Sequence, residues 1–384
     1  MLDAAPLIRF SQVSKCWGST TAVRSLDFSI APGQFVILLG PSGCGKSTTL
    51  RMLAGLEAVS GGEIHIQGQD VTHQPPGARG LSMVFQSYAL FPHLSVADNI
   101  VFGLRSRKVP KAEQRERLAK VAEMVDLTAY LDRKPAKLSG GQRQRVALAR
   151  AVISEHPICL MDEPLSNLDA RLRADMRRDI KALQARLGMT VIYVTHDQVE
   201  AMSMGDRVIL MQHGEIVQDA PPGELYNQPA TTFAASFIGS PAMNLLPLTE
   251  GLEAAVIEGV PETPVAPLAA ATGQLGVRPE DIELRGAGEP GVPATVISDE
   301  YLGADTIIHL AVGRHSVKAR LAGRQSMAPN TACTLAWRAQ AAHLFGSDGK
   351  RRDDLAPCNL MPDVPDDADA RVVPRLPNVG SFAI

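Results

Sequence analysis

The sequence predicts an α/β domain built on a largely parallel sheet with a helical insertion, followed by a smaller all-β barrel. Three observations predict it. Short apolar runs alternate with helical stretches up to about residue 240, the pattern of a parallel sheet. A glycine-rich loop near the start joins one such run to a helix. Past Ser240-Pro241 the helical stretches vanish, and short β-rich pieces separated by Gly and Pro take over.

Residues 7 to 40 run apolar or alternate in short pieces broken by Gly18 and by Ala31-Pro32-Gly33, which reads as strands joined by tight turns. The last run, Phe35 to Leu39, feeds Gly40-Pro41-Ser42-Gly43-Cys44-Gly45-Lys46-Ser47, a G-x-x-x-x-G-K-[ST] loop. Thr48 to Ala54 then carries good helix formers. A strand, this loop and a helix bring backbone N–H groups and the positive helix end together, the geometry that wraps the phosphates of ATP or GTP. Lys46 is expected to reach the β and γ phosphates and Ser47 to ligate Mg²⁺, with Thr48 opening the helix. A glycine-rich turn without ligand has no need of Lys followed by Ser.

Between Tyr88 and Ala151 the pattern turns helical, and Lys111 to Asp126 is rich in Ala, Glu, Lys, Arg and Leu at three-and-four spacing. A helical subdomain over about 88–155 is expected. Ile158 to Met161, Thr190 to Thr195 and Arg207 to Met211 are strands separated by the charged helix Arg171 to Leu187, and the first domain is expected to span 1–240. Gln274 to Val277, Ala294 to Ser298, Thr306 to Val312 and Ser316 to Leu321 are the β pieces of a barrel over 241–348. Residues 349–384 are Pro- and Asp-rich with few aromatics, which predicts a disordered tail. No internal repeat and no second phosphate loop occur.

With 384 residues the chain is long enough for two cores. A charged fraction of 21%, an apolar fraction of 45% and a net charge of −3 describe an ordinary soluble protein rather than a binder of polyanions. No stretch is long and apolar enough to cross a membrane, and Met1 to Phe10 lacks the basic start and apolar core of a secretion signal, so a cytoplasmic location is expected. The five cysteines, at 16, 44, 159, 333 and 358, lack C-x-x-C spacing, which suits reduced thiols better than disulfides or a zinc site. Cys44 is the one thiol expected to matter, because a bulky adduct inside the loop would obstruct nucleotide.

Ile158-Cys159-Leu160-Met161-Asp162-Glu163-Pro164 is an apolar strand ending in two adjacent carboxylates. Successive strand residues point opposite ways, so Asp162 is expected to hold Mg²⁺ through water while Glu163 orients or deprotonates the attacking water. Alone, two acids at a strand end are as often solvated turn residues; the upstream loop decides the reading. In Leu138-Ser139-Gly140-Gly141-Gln142, Ser139 and Gln142 match a capping box. A cap has no use for the two glycines, which lower helix stability and open the backbone to a ligand, so a second phosphate-contacting helix end is expected.

Leu138 to Gln142, placed between the phosphate loop and the strand ending Asp162-Glu163, resembles the ATPase subunits of ABC transporters, and the resemblance covers about Phe10 to Ser240. It implies an α/β P-loop NTPase fold of the ABC ATPase type. It also implies roles for residues whose isolated reading is bland. Gln86 corresponds to the glutamine that senses Mg²⁺ and the attacking water, His196 to the switch histidine that contacts the γ-phosphate, and Trp17 to the aromatic that stacks on adenine, commonly a tyrosine. Ser166-Asn167-Leu168-Asp169 matches the loop that crosses between paired subunits. In that family ATP lies between the phosphate loop of one subunit and the Leu-Ser-Gly-Gly-Gln helix of another, so Ser139, Gly140, Gly141, Gln142 and Asp169 would serve a partner's nucleotide. One copy of each element implies a homodimer or pairing with a related subunit.

Phe237 to Asn244 and Leu275-Gly276-Val277-Arg278-Pro279-Glu280 are similar to the carbohydrate-type importers, whose ATPases carry a C-terminal barrel of oligonucleotide-binding-like shape. The resemblance is strongest to the sn-glycerol-3-phosphate and maltose uptake systems, with Ser240 to Leu246 and Tyr301 to Asp305 favouring the former. It implies two membrane-spanning permease subunits docked on the stretch Gln86 to Leu94, a solute-binding protein acting indirectly, and a peripheral place on the cytoplasmic face of the cell membrane. A cytoplasmic regulator on the barrel is a further implication. Nucleic acid is not expected as a partner, since the barrel stretch has few aromatics and mixed charge. A soluble ABC-type ATPase acting on nucleic acid or ribosomes is the competing class. Such relatives carry two nucleotide-binding halves or a long coiled-coil insertion, and this chain has neither.

Overall fold

Buried and exposed residues alternate along β1 (Ile8–Trp17) and β2 (Thr20–Ile30), which pair antiparallel across a tight turn at Gly18. By contrast β3 (Phe35–Leu39) is buried at every position. The computed structural model describes residues 5–360. Beyond β3, helix α1 (Lys46–Ala54) starts two residues earlier than its helix formers indicate, at the lysine of the loop itself. β4 (Gly61–Ile66) and β5 (Gln69–Asp70) then complete an antiparallel sheet in the order β2-β1-β4-β5.

β6 (Leu81–Val84) leads into three helices, α2 (Val96–Ser106), α3 (Lys111–Met124) and α4 (Gly140–Val152). The chain returns through β7 (Ile158–Asp162), α5 (Ala170–Leu187), β8 (Thr190–Thr195), α6 (Gln198–Met204), β9 (Arg207–Gln212), β10 (Glu215–Ala220), α7 (Pro222–Asn227) and α8 (Thr232–Phe237). The six-stranded sheet runs β10-β9-β3-β8-β7-β6, parallel except for β10.

The all-apolar strands follow from a sheet covered on both faces. Phe35, Ile37 and Leu39 join one core with the helices, while Val36 and Leu38 join a second core shared with β1, β2, β4 and α1. Cys159 and Met161 of β7 and Val191 and Tyr193 of β8 side with the first core; Ile158, Leu160, Ile192 and Val194 side with the second. Burial of each large side chain is worth on the order of 2 kcal/mol, so the central strands are rigid supports for the loops at their carboxyl ends.

A compact unit ends at Ser240 and a second begins at Pro241. Among its described residues the second is all β apart from short 3₁₀ turns. β11 (Asn244–Glu250), β12 (Ala255–Ile257), β13 (Val260–Ala266) and β14 (Gln274–Val277) come first, followed by β15 (Glu283–Gly286), β16 (Val292–Tyr301), β17 (Asp305–Val312), β18 (His315–Ala322), β19 (Ala332–Ala336) and β20 (Ala342–Phe345). They form two antiparallel sheets, β13-β12-β11-β14-β20 and β15-β19-β16-β17-β18, around one apolar core. Buried Asn244 ties the sheets together: its Nδ2 donates to Val277 O and Lys318 O, and its Oδ1 accepts from Lys318 N.

The expected disordered tail needs correction over its first part. Arg352 N donates to Leu344 O, Cys358 N to Val265 O and Leu360 N to Trp337 O, while Leu355 and Leu360 pack on the second unit's core. A few apolar residues spaced along a Pro-rich strap suffice once a preformed surface receives them, which composition alone does not reveal. The rest of that tail, from 361 on, lies outside the described residues.

Candidate functional site

The loop between β3 and α1 is shaped by its glycines. Gly43 and Gly45 have φ of 80° and 105°, a region side chains avoid. A methyl group on Gly45 would lie 2.7 Å from Ala22 O, whereas one on Gly43 would meet no atom within 4 Å, so the backbone there faces open space. No side chain caps the N-terminus of α1, which leaves its first N–H groups to another acceptor. Lys46 is only 5% exposed. Its ammonium donates to Gly40 O at 2.9 Å and Pro41 O at 2.8 Å and lies 3.7 Å from Cys44 Sγ; among the described residues it forms no ion pair. A buried cation whose partners are neutral fits an anionic ligand.

At the carboxyl end of β7, Asp162 Oδ1 accepts from the Ser47 hydroxyl at 2.8 Å, and Arg51 approaches its other oxygen at 3.8 Å. A hydroxyl and one carboxylate fit Mg²⁺, which usually takes one or two protein oxygens and completes its shell with water and phosphate. Glu163, one residue on, has left-handed backbone at φ 43° and its N–H donates to Val194 O. Its Oε2 stands 3.3 Å from Nδ1 of His196, beyond the end of β8. Since β7 and β8 are parallel neighbours, the two side chains emerge at the same edge.

Gln86 follows β6 and joins the same cluster through Ser166, whose hydroxyl donates to Glu163 O at 2.9 Å and accepts from Gln86 Nε2 at 3.4 Å. Asn167 Nδ2 donates to Gln86 O. Glu163, His196 and Gln86 are therefore assembled in one place, as are Ser47 and Asp162. Trp17 ends β1, the residue 48% exposed and Lys15 Nζ 5.3 Å from its ring centroid. An exposed indole is not a core residue, and it suits a stacking platform.

Ser139 and Gln142 lie elsewhere on the first unit, and among the described residues no hydrogen bond joins them to the phosphate loop. They form the capping box of α4 reciprocally: Gln142 N donates to Ser139 Oγ, and Ser139 N donates to Gln142 Oε1. The glycine pair has a reason besides access for a ligand. A methyl on Gly141 would sit 2.8 Å from Leu172 Cδ1 and one on Gly140 3.2 Å from Leu168 Cδ2, so close packing within the chain itself favours small residues there. Asp169 caps α5, accepting from Leu172 N at 3.0 Å.

Cys44 is buried, with its sulfur turned toward Gly40, and burial pushes the thiol up despite the nearby Lys46. The obstruction foreseen from an adduct therefore lacks access. Sequence reasoning also passed over residues that brace the site. Arg79, buried, donates to Met52 O and Leu53 O at the negative end of α1 and to Thr72 O and Gln74 O. Asn99 Nδ2 donates to Phe91 O, Leu94 O and Ser95 O, and Arg150 donates to Tyr88 O and Ala89 O, where both residues have positive φ. These side chains hold the stretch after Gln86 from inside. A single buried Asn or Arg leaves no periodic signal.

Comparison with known proteins places the chain among families. A model of the ABC transporter family matches residues 23–166, and one of the TOBE domain matches residues 275–345. An sn-glycerol-3-phosphate import ATP-binding protein of Cereibacter sphaeroides is 48% identical, over 90% of this chain and 99% of its own length. The diacetylchitobiose uptake system ATP-binding protein of Streptomyces coelicolor is 50% identical, over 81% of this chain and 84% of its own. Among solved structures, cbiO1 from Clostridium perfringens, part of the ABC transporter complex cbiONQ, is 26% identical with a TM-score of 0.54, covering 57% of this chain and 90% of that one. An ATP-binding cassette solved as a dimer in a post-hydrolysis state with ADP and phosphate is 31% identical with a TM-score of 0.50, covering 56% of this chain and 98% of that one.

Proposed function

This chain belongs to the ABC transporter family of ATP-binding proteins, and from that membership we propose that it hydrolyses ATP to drive import of a small solute, sn-glycerol-3-phosphate in the first place. The observation that carries the ATP site is the buried Lys46 ammonium beside the open backbone of Gly43, with Ser47 and Asp162 adjoining. Relatives described as sn-glycerol-3-phosphate import ATP-binding proteins, similar over most of the chain, support the solute. The diacetylchitobiose relative supports a second reading, in which the solute is maltose or another sugar.

In this reading Lys46 and the backbone of Gly40 to Thr48, through the N–H groups of every residue but Pro41, hold the phosphates, and Trp17 stacks on the adenine. Ser47, Asp162 and Gln86 hold Mg²⁺, which neutralises phosphate charge when bound. Glu163 orients the attacking water and accepts its proton; His196, facing Glu163, contacts the terminal phosphate. Ser139, Gly140, Gly141, Gln142 and Asp169 complete the partner chain's site, so two copies close on two nucleotides. Closure follows from tighter binding of ATP by the paired state, and loss of the terminal phosphate reverses it. Among the described residues no helix is long and apolar enough to cross a membrane. The membrane path is accordingly assigned to two permease subunits docked near Gln86 to Leu94, with this chain peripheral to the membrane at its cytoplasmic face. A regulator on the second unit is part of the same proposal.

Co-purification tests the solute. The membrane proteins and solute-binding protein recovered with this chain should take up sn-glycerol-3-phosphate in vesicles at the expense of ATP. Uptake of sugars alone would transfer the assignment to the second reading.

A further inference from the structure

Arg173, in the first turn of α5, joins two loops that otherwise belong to different tasks. Its Nη1 donates to Asp197 Oδ2 at 3.1 Å, and its Nη2 donates to Leu168 O at 3.1 Å. Asp197 follows His196 and caps α6, its Oδ1 accepting from Val199 N and Glu200 N. The other flank of His196 is fastened as well. Thr195 Oγ1 accepts from Asp197 N at 2.9 Å and donates to Glu200 Oε2 at 2.7 Å, and the same carboxylate oxygen accepts from Tyr193 OH. The histidine turn is thus a braced unit, and Arg173 connects it to the 166–169 loop.

At that loop the contact passes on without slack. Leu168 and Leu172 lie against Gly140 and Gly141, closely enough that a methyl group on Gly141 would overlap Leu172 and one on Gly140 would press on Leu168. Any displacement of the two leucines therefore reaches the start of α4 directly. The Arg173 side chain is itself half-buried, and both of its terminal nitrogens are engaged in these two contacts.

We propose that Arg173 is a positioning residue that couples the His196 turn of one nucleotide site to the Ser139–Gln142 helix end that completes the other, by way of Leu168 and Leu172. The inference rests on the two-chain reading above, in which His196 attends its own chain's nucleotide and Ser139–Gln142 the partner's. The planar guanidinium fork holds the Asp197 carboxylate and the Leu168 carbonyl at a fixed separation, which a single ammonium cannot do.

The test uses the full-length chain in the complex that co-purifies with it, measuring initial rates of hydrolysis across MgATP concentrations. Arg173→Met should lower the Hill coefficient from about 1.5 or more toward about 1, the value of two independent sites. ATP affinity, measured by equilibrium binding, should stay near wild type. Arg173→Lys should restore the coefficient only in part. Asp197→Asn keeps the helix cap and weakens the ion pair; it should give the same drop, with no further drop in the double variant. Should Arg173→Met fail to fold, Asp197→Asn carries the comparison. Unchanged cooperativity in a folded variant overturns the proposal. A Hill coefficient of one in the wild type would likewise overturn it, whereas full hydrolysis by a complex holding a single copy of this chain would remove the two-chain premise, so the two failures are distinguishable.

Discussion

His196 Nδ1 lies 3.3 Å from Glu163 Oε2, each side chain just past the end of one of two neighbouring parallel strands. The pairing sets a carboxylate able to accept a proton beside an imidazole able to contact phosphate. Glu163→Gln preserves shape and removes the basic oxygen. Turnover should fall at least ~100-fold while ATP binding persists, as for loss of a general base. Single-turnover hydrolysis and equilibrium nucleotide binding on the same preparation check this, and near-normal hydrolysis would refute the role.

Ser139 is exposed, and its hydroxyl accepts from Gln142 N while its N–H donates to Gln142 Oε1. Losing the cap costs about 1 kcal/mol, too little to unfold a domain of this size. Ser139→Arg should therefore leave ATP affinity of the isolated chain near wild type, yet lower hydrolysis by more than ~10-fold, because the residue serves the partner's nucleotide. Equal loss of both would contradict a shared site.

The thiols differ in access. Cys16 is exposed, whereas Cys44 and Cys159 are buried. Complete burial in β7 pushes the Cys159 thiol up to about 11. With iodoacetamide at neutral pH the native chain should be modified first at Cys16, with Cys44 and Cys159 resistant until denaturation. Peptide mapping by mass spectrometry decides, and labelling of native Cys44 as fast as Cys16 would show that the loop sulfur is accessible after all.

Glu200 is 3% exposed, and burial raises its carboxyl above the ordinary 4.5 even though the Thr195 and Tyr193 hydroxyls act the other way. The folded chain thus holds this proton more tightly than the unfolded chain. The associated stability is whole below about 4.5 and is lost as pH rises through the folded-state value. Glu200→Gln removes this dependence. Relative to that variant, wild type should lose thermal stability as the pH is raised above about 4.5; a difference that stays constant with pH would argue against a raised carboxyl.

Some of this architecture is written locally. The loop from Gly40 to Ser47, the apolar runs of the central strands and the Ser139–Gln142 cap each depend on neighbours in sequence: a turn needs its glycines, a doubly covered strand its unbroken apolar run, a helix its capping side chain. Those features were legible without coordinates, and with them the order of the site's parts. Other relationships exist only where distant segments meet. Arg173 bridging Asp197 and Leu168, Ser166 joining Gln86 to Glu163, Arg79 closing the far end of α1 and Leu172 filling the space above Gly141 leave no periodic mark, because each depends on a single side chain reaching a particular backbone atom or gap. The strap from Gly349 to Leu360 belongs with them. Composition measures how much apolar surface a segment has; only packing decides whether a complementary surface receives it.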